Sequence, residues 1–503
     1  KLGATIDGEF CPFSSVGLRN RMKTDKSEAV RKACYDGLRS IGPFICENGF
    51  VQVIKNRNAL ARSLGYEDFY EYKVTNAEGF GKKKLFAMLD TLEQGTRELM
   101  IKARKDLAAE KGEESLQPFN MNFAMAGDVT QKLDPYFPFA NAVERWGRSY
   151  YRMGIKYRGA QMNLDLLDRE NKYSNGFCHW PVCAWKKPDG SFQPSQTNFT
   201  SLADPTSVGS GLTALRTLMH EAGHAAHFAN IEQPSPLFSQ ERAPTSVAYA
   251  ETQSMFLDSL VSDASWRAKY AKTADGEVIP WDILEEEIRC THPYQVFPLR
   301  AMLSVPYFEK ALYEMAEEDV TPENIQNLAD EIETKIQGGL GPRPLLSVPH
   351  IISDEASCYY HGYVLAEMAV HQTREWFLSK YGFIVDNPKV GSILCEHYWH
   401  FGNSEGFLDL VNRLTGRELN GKSWTDHLSI SVEEKVRKEK EDYENAIHKT
   451  KEEETDIDLQ MNLRFVDGDL TISDSKSKGS FLAACKEFET YIRKRVGITA
   501  SSL

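Results

Sequence analysis

Apolar residues recur at helical spacing through most of the first 155 residues of the chain. The segments with this spacing are residues 29–41, 57–64, 84–107 and 119–153. Apolar positions three or four residues apart place one hydrophobic face along a helix, so the pattern predicts successive amphipathic helices. Because these segments hold no cluster of catalytic residue types, we interpret the region as a helical lobe that packs and shapes a cleft.

The pattern changes after residue 162, where short strand-like runs replace the helical spacing. Residues 163–169, 177–185 and 192–199 predict strands, and the Pro-Asp-Gly sequence at 188–190 predicts a tight turn between the last two. These strands indicate a small sheet. An edge of that sheet could pair with an extended peptide, or the sheet could serve only to support the helix that follows.

The helix predicted next, at residues 213–230, carries the sequence His220-Glu221-Ala222-Gly223-His224. Two histidines four residues apart project from one face of a helix, so both can bind one metal ion while the glutamate between them faces a water molecule. This pattern is typical of zinc hydrolases.

A zinc site that keeps one position for water needs a third protein ligand. Glu251 belongs to the next apolar-periodic run, just after a predicted helix start at residues 244–246. A second helix carrying Glu251 beside the first predicts a site for one zinc ion per chain, formed by His220, His224 and Glu251. The alternative is that the two histidines are ordinary helix residues and Glu251 is a surface acid.

A second group of candidate residues lies more than a hundred positions further along. His350 precedes residues 353–355, Ser-Asp-Glu, which we interpret as the capped start of a helix. Tyr359 and Tyr363 then fall four apart on one helix face. Because histidine and tyrosine can donate hydrogen bonds to a developing oxyanion, His350, Tyr363 and Tyr359 are candidate catalytic residues. For the two tyrosines, the alternative is packing in the core.

Chain length, net charge and cysteine content restrict the possible domain organisation, binding partners and cellular compartment. A chain of 503 residues exceeds what one hydrophobic core usually supports, which favours two lobes. The net charge of −13 argues against nucleic acid as a partner, and the sequence shows no apolar run of membrane-spanning length. Nine cysteines without a framework spacing indicate reduced thiols. We therefore expect a cytoplasmic protein or, since the first residue is not methionine, one imported into an organelle matrix such as the mitochondrial matrix.

The order of these motifs resembles the thimet oligopeptidase and oligoendopeptidase F family of zinc metallopeptidases. The resemblance is carried by residues 165–169, 188–190, 198–199, 217–227, 251–254 and 408–416, and extends over roughly residues 15–430. It implies a mainly α, two-lobed, zincin-like fold with a small β-sheet beside the H-E-x-x-H helix and a deep central channel. Such a channel would admit short peptide substrates and exclude folded proteins.

The resemblance also bears on the second group of residues. His350 matches a family histidine, and Tyr359, Tyr360 and Tyr363 match tyrosines that meet the substrate and the tetrahedral intermediate. Residues 353–357 depart from the pattern, because the family usually has glycines and another tyrosine there. This difference affects the expected flexibility of the loop and its contacts with substrate. It does not affect the predicted metal ligands.

These observations divide the chain into three parts. We predict a helical N-terminal lobe at residues 1–155, a zinc catalytic region at 156–430 and a charged C-terminal extension at 431–503. Within the extension, we predict a solvated helix at 432–454, a hairpin around Asp467-Gly468 and a final helix at 481–496. The extension would dock on the body of the chain, or on a partner or a second copy.

We therefore expect a zinc-dependent endopeptidase that hydrolyses short oligopeptides, with Glu221 as general base. One alternative is a dipeptidyl carboxypeptidase-like activity, which requires a group that binds the free C terminus of the substrate. The sequence alone does not locate that group. A second alternative is a non-catalytic peptide-binding or assembly subunit, against which the intact Glu221 and histidines argue. Hydrolysis of a non-peptide amide would use the same chemistry.

Overall fold

The structure is a computed structural model that describes residues 1–172, 176–236, 246–448 and 454–497. It is mainly helical with a small sheet beside the helix that carries the H-E-x-x-H motif, which confirms the predicted fold class. Within the described ranges, no helix is both long and apolar enough to cross a membrane. Part of the predicted helix start at 244–246 and part of the charged segment at 432–454 lie outside the described residues.

The elements follow one another in three groups. The first group is β1 (Gly3–Ile6), β2 (Glu9–Pro12), α1 (Ser15–Thr24), α2 (Glu28–Arg39), α3 (Ile41–Ile45), α4 (Val51–Ser63), α5 (Phe69–Glu78), α6 (Lys82–Lys111), α7 (Met121–Leu133) and α8 (Ala142–Arg152). The second group is β3 (Ala160–Leu167), β4 (Phe177–Val182), β5 (Trp185–Lys186), β6 (Phe192–Gln193), β7 (Gln196–Ala203), α9 (Ser210–Ala229), α10 (Val247–Asp258), α11 (Ala264–Tyr270), α12 (Trp281–Thr291), α13 (Val296–Glu314), α14 (Pro322–Gln337), α15 (Pro349–Ile352), α16 (Tyr360–Tyr381), α17 (Val390–His397), α18 (Phe407–Thr415) and α19 (Lys422–Leu428). The third group is α20 (Val432–His448), β8 (Met461–Asp467), β9 (Leu470–Asp474), α21 (Ser475–Lys478) and α22 (Phe481–Arg495).

Five strands form the main sheet in the order β4-β7-β3-β8-β9. β3 lies in the centre, parallel to β7 and β8, while β4 and β9 are antiparallel edge strands. Alternate residues of β3, among them Met162 and Leu164, are buried, as expected for a strand with one face on the core. The predicted strand at 177–185 covers both β4 and the start of β5, and the predicted strand at 192–199 covers β6 and part of β7. In each case only two residues separate the two strands.

Two glycines allow the active-site helices to approach one another closely. A Cβ atom added to Gly223 of α9 would lie 2.9 Å from the Cα of Ser254 on α10. One added to Gly362 of α16 would lie 3.2 Å from the backbone nitrogen of Ala248, also on α10. Any larger side chain would push these helices apart, so the glycines hold α10 tightly between α9 and α16.

The C-terminal extension is built into the body of the chain. The predicted hairpin is present as β8 and β9, with Gly468 at a φ of 60° in the turn. β8 pairs with β3 in register, Phe465 opposite Leu164, and the ring of Phe488 on α22 stacks on Phe465 at 4.5 Å. Of the docking alternatives considered for the extension, the described residues show the one on the body. The division at residues 155 and 430 stays a prediction.

The predicted helix start at residues 353–355 is wrong. The helix α16 begins at Tyr360, and the residues before it form turns. Tertiary contacts override the local capping signal: Glu309 accepts a 2.7 Å hydrogen bond from the backbone of Cys358, and Arg57 donates to the carbonyl of Ser353 at 2.6 Å. Cys358 is held at a φ of 52°, which interrupts any helix at that point.

Candidate active site and metal centre

The side chains of His220 and His224 face the same side of α9. Their rings lie 4.9 Å apart between centroids, as the four-residue spacing predicts. α9 is almost entirely buried over the motif, so its position is fixed by packing on the sheet and on α10. The two imidazoles are thereby presented on a rigid element, which favours precise ligand geometry.

Glu251 on α10 completes the group. Its Oε2 lies 3.1 Å from Nε2 of His220 and 3.4 Å from Nε2 of His224. The ligand atoms of all three residues fall within 4.8 Å of one another, and no other group of three histidine, cysteine or acidic side chains in the described ranges meets this condition. Two imidazole nitrogens and one carboxylate oxygen form a donor set that suits zinc.

The electrostatics of the group favour a cation. Burial alone would lower the pKa of His220, but hydrogen bonds to Asp258 and Glu251 outweigh burial and raise that pKa well above its usual value. Burial would likewise raise the pKa of Glu251, but the charges of His224 and His220 hold it well below its usual range. The residues present therefore fit a bound metal ion both in donor chemistry and in charge.

Asp258 was missed by the sequence analysis. Its Oδ2 lies 2.8 Å from Nδ1 of His220, so it orients the ring whose Nε2 faces Glu251. Carboxylates in this position fix the tautomer and raise the basicity of a metal-binding histidine. A signal was available, since Asp258 follows Glu251 by seven residues and therefore falls on the same face of α10.

Glu221 lies between the two histidines in sequence and lines the same cavity. Burial raises the pKa of its carboxyl group, while the neighbouring His220 and His224 act in the opposite direction. A Cβ atom added to Gly176 would come within 3.8 Å of Oε1 of Glu221, so the backbone passes close to the carboxylate. The environment is that of a carboxylate whose proton affinity has been increased, as a general base requires.

His350 and Tyr363 contact each other in the structure. Nε2 of His350 lies 3.1 Å from the hydroxyl oxygen of Tyr363. Burial, with the nearby Arg343, lowers the pKa of His350 to about 4, and burial raises the pKa of Tyr363 well above its usual value. Both side chains are therefore neutral at physiological pH.

Tyr359 contacts one of the predicted metal ligands. Its hydroxyl donates a 2.6 Å hydrogen bond to Oε1 of Glu251. Its ring also lies 5.3 Å from that of Tyr363, so it belongs to the same cluster. The contact with Glu251 indicates a role in positioning the carboxylate.

All seven predicted site residues line one cavity of about 850 Å³. Its walls include residues of α1, α9, α10, α16 and α20, elements that lie far apart along the chain. The edge strand β4 adds Phe177, Cys178 and Trp180. Among the described strands, β4 is an edge strand of the sheet and lies beside the motif helix, the position at which an extended peptide can add to a sheet.

Residues 21–430 match the sequence profile of Peptidase family M3. The chain belongs to Peptidase family M3. It is therefore a member of a metallopeptidase family, in which the H-E-x-x-H helix described above is the expected location of the site. No curated protein matches the chain at a significant level.

Several solved structures share the fold of this M3 peptidase at low sequence identity. A structure of PZ peptidase A with an inhibitor is 16% identical, with a TM-score of 0.57, and the match covers 91% of this chain and 74% of that one. A protein described as an oligoendopeptidase F from Bacillus anthracis is 16% identical, with a TM-score of 0.53 over 89% and 72%. Metallocarboxypeptidase 1 of Trypanosoma cruzi is 16% identical, with a TM-score of 0.51 over 82% and 78%. At these identities the likeness establishes the fold alone.

Proposed function

We propose that this M3 peptidase is a zinc-dependent enzyme that hydrolyses short oligopeptides. The observation that carries the proposal is the convergence of His220, His224 and Glu251 within 4.8 Å beside Glu221, inside a cavity. Zinc is favoured over magnesium or calcium because two of the three donors are imidazole nitrogens, whereas those ions prefer oxygen ligands.

A zinc ion held by these three residues supplies Lewis acidity, which lowers the pKa of water and polarises a carbonyl group. Glu221 then removes a proton from the attacking water and passes it to the nitrogen of the leaving amine. Asp258 and Tyr359 keep His220 and Glu251 in position.

The pair formed by His350 and Tyr363 is assigned to the oxyanion. With the hydrogen of His350 on Nε2, this nitrogen donates to the oxygen of Tyr363 and leaves the phenolic hydrogen free to point at the substrate. The other ring nitrogen, Nδ1, is buried without a partner among the described residues, which favours the tautomer in which it carries no hydrogen. A neutral phenol can donate to negative charge as that charge develops, in a site sheltered from water.

The surroundings of the site support oligopeptides as substrates. A partly open cavity of about 850 Å³ can hold a peptide of several residues but is too small for a folded domain. β4 is the edge strand of the described sheet beside the cavity, and an edge strand is where an extended peptide binds independently of its side-chain sequence. This arrangement supports an oligoendopeptidase F-like activity, as the motif order in the sequence implies.

The experiment pairs metal content with cleavage of quenched fluorescent peptides of increasing length. The native chain is compared with Glu221→Gln, which keeps all three ligands, and with Glu98→Gln, a matched change of an exposed acid on α6 outside the cavity. We expect one zinc ion in each protein, loss of turnover only in Glu221→Gln, and a fall in turnover above a limiting peptide length.

Two results would contradict the proposal in different ways. A native chain that binds no zinc would remove the metal assignment. A native chain that binds zinc and cleaves no peptide would favour a peptide-binding subunit or a different amide substrate.

A further inference from the structure

A buried carboxylate outside the cavity links the two helices that carry Glu251 and Tyr363. Glu78 is the last residue of α5, and its side chain is fully sheltered from solvent, as is that of His361 on α16. Nε2 of His361 lies 3.1 Å from Oε1 of Glu78. Neither residue is among the described residues that line the cavity, and the reaction proposed above uses neither.

The same carboxylate also contacts the start of α10. Ser246, the N-cap residue of that helix, donates a 2.6 Å hydrogen bond from its hydroxyl to Oε2 of Glu78. The backbone nitrogen of Ala248 donates a 3.2 Å bond to Oε1. A negative side chain is also favoured at the N terminus of a helix by the helix dipole. One side chain of α5 therefore holds both α10 and α16.

Capping of α10 does not by itself account for Glu78. The hydroxyl of Ser246 already caps this helix, because it accepts a 3.0 Å hydrogen bond from the backbone nitrogen of Tyr249. Enclosing a carboxylate costs free energy, and the cost is offset only when hydrogen-bond donors surround the group. What Glu78 adds to the existing cap is the connection to α16 through His361.

His361 connects Glu78 to the tyrosines of the active site. It lies two residues after Tyr359 and two before Tyr363, so it faces the opposite side of the helix from both. Tyr359 donates to Glu251 on one side of the first turn of α16, while His361 contacts Glu78 on the other. A shift of His361 would therefore move both tyrosines relative to the third predicted metal ligand.

The hydrogen-bonding groups around Glu78 require a carboxylate. Nδ1 of His361 is buried without a partner in the described ranges, which favours the tautomer with its hydrogen on Nε2. All three groups that contact Glu78 are then donors, so both carboxylate oxygens are needed to accept from them. A glutamine at this position offers one oxygen and turns its own donor group against one of these donors.

We propose that Glu78 and His361 are positioning residues of the reaction, which hold α10 against α16 so that Glu251, Tyr359 and Tyr363 keep their alignment. This inference rests on the proposed peptidase function and adds two residues outside the cavity to those on which that function depends. It predicts that zinc affinity and turnover both depend on a hydrogen bond that contacts neither the metal ligands nor the substrate.

The test compares Glu78→Gln and His361→Leu with the native chain. Each change should weaken zinc binding, measured by competition with a chromogenic chelator, by about 10-fold, the lower end of the effect of residues that orient metal ligands. At saturating zinc, kcat should fall by about 10- to 100-fold while KM changes little, because the alignment of the reacting groups is lost and the substrate contacts are not. Because both changes remove the same bond, the double variant should be no worse than the more affected single variant.

Two further proteins separate positioning from folding. His361→Gln can place an amide donor near the position of Nε2, and it should recover most of the zinc affinity and kcat lost in His361→Leu. Glu67→Gln changes an acid that is 74% exposed just before α5 and should behave like the native chain. Hydrogen exchange on the zinc-free proteins adds a measurement independent of turnover: in Glu78→Gln, exchange should become faster at the start of α10 and stay slow in α22.

The proposal is overturned if Glu78→Gln and His361→Leu keep native zinc affinity and kcat, or if they lower only the midpoint of thermal unfolding. It is also overturned if His361→Gln is no better than His361→Leu, a comparison that decides the matter should Glu78→Gln fail to fold. A native chain that binds no zinc or cleaves no peptide would instead contradict the peptidase function itself.

Discussion

The hydroxyl of Tyr359 lies 2.6 Å from Oε1 of Glu251 and donates a hydrogen bond to it. Burial, reinforced by the charge of Glu251, raises the pKa of Tyr359 well above its usual value, so the hydroxyl keeps its hydrogen and remains a donor. The bond restrains the carboxylate predicted to be the third metal ligand. Tyr363, one turn further along α16, has no such bond and instead meets His350.

This difference predicts separate effects for two conservative changes. Tyr359→Phe should weaken zinc binding by about 10- to 100-fold, the usual effect of removing a residue that orients a ligand. Tyr363→Phe should leave zinc affinity unchanged and lower kcat by about 100-fold, as expected for loss of one oxyanion donor. Zinc affinity is measured by competition with a chromogenic chelator, and kcat at saturating zinc. Equal zinc affinities in the two variants would refute the positioning role of Tyr359.

Close packing at Gly223 predicts a second effect. Gly223→Ala places a methyl group 2.9 Å from the Cα of Ser254, so α9 and α10 must separate and Glu251 must move away from the histidines. We expect a loss of about 1–3 kcal/mol in the free energy of unfolding and weaker zinc binding.

Gly95→Ala is the matched control: Gly95 lies inside α6 with nothing within 4 Å of an added Cβ. That change should be neutral or stabilising by up to about 1 kcal/mol. Urea unfolding with zinc titration measures both quantities.

The residues near one another in sequence were the ones that sequence reasoning placed best. His220 and His224 lie together because a helix places residues four positions apart on one face. The hairpin is present as predicted because the Asp467-Gly468 sequence favours a tight turn. The interpretation of residues 353–355 failed because distant residues, Arg57 and Glu309, hold the preceding segment in turns.

Long-range pairings were the part that the sequence could not supply. The parallel alignment of β8 with β3 joins residues about 300 positions apart, and no local pattern encodes that partner. The role of Asp258 could be predicted only in part. Its seven-residue spacing from Glu251 is visible in the sequence, but its partner His220 lies on another helix.

The pairing of β8 with β3 predicts that the extension is required for folding of the peptidase body. Phe488 is 1% exposed and stacks on Phe465, so Phe488→Ala should lower the free energy of unfolding by about 3–5 kcal/mol. Leu470→Ala in the same hairpin is the control, because Leu470 is 54% exposed and its loss should cost about 0.5 kcal/mol or less. The midpoint of thermal unfolding and the temperature at which peptidase activity is lost should fall together in Phe488→Ala. A variant that loses α22 but keeps a native unfolding transition would show the extension to be dispensable.

Two partly buried histidines, His371 and His427, predict how stability depends on pH. Burial, with the charges of Arg374 and Lys435, lowers the pKa of His371 to about 3. Burial, with Lys435 and His371, lowers that of His427 to about 2. In the unfolded chain each histidine takes up a proton near pH 6.5. Between that pH and the folded pKa the unfolded state binds more protons, so stability is complete above pH 6.5 and falls as the pH falls.

Each of these histidines should contribute a slope approaching about 1.4 kcal/mol per pH unit below pH 6. Replacing both with asparagine should therefore flatten the decline in the free energy of unfolding between pH 6.5 and pH 5, measured by urea denaturation. Phe488→Ala provides the comparison, since it removes packing but no titrating group and should lower the whole curve without changing its slope. An unchanged slope in the double asparagine variant would mean that other groups govern the acid sensitivity of the fold.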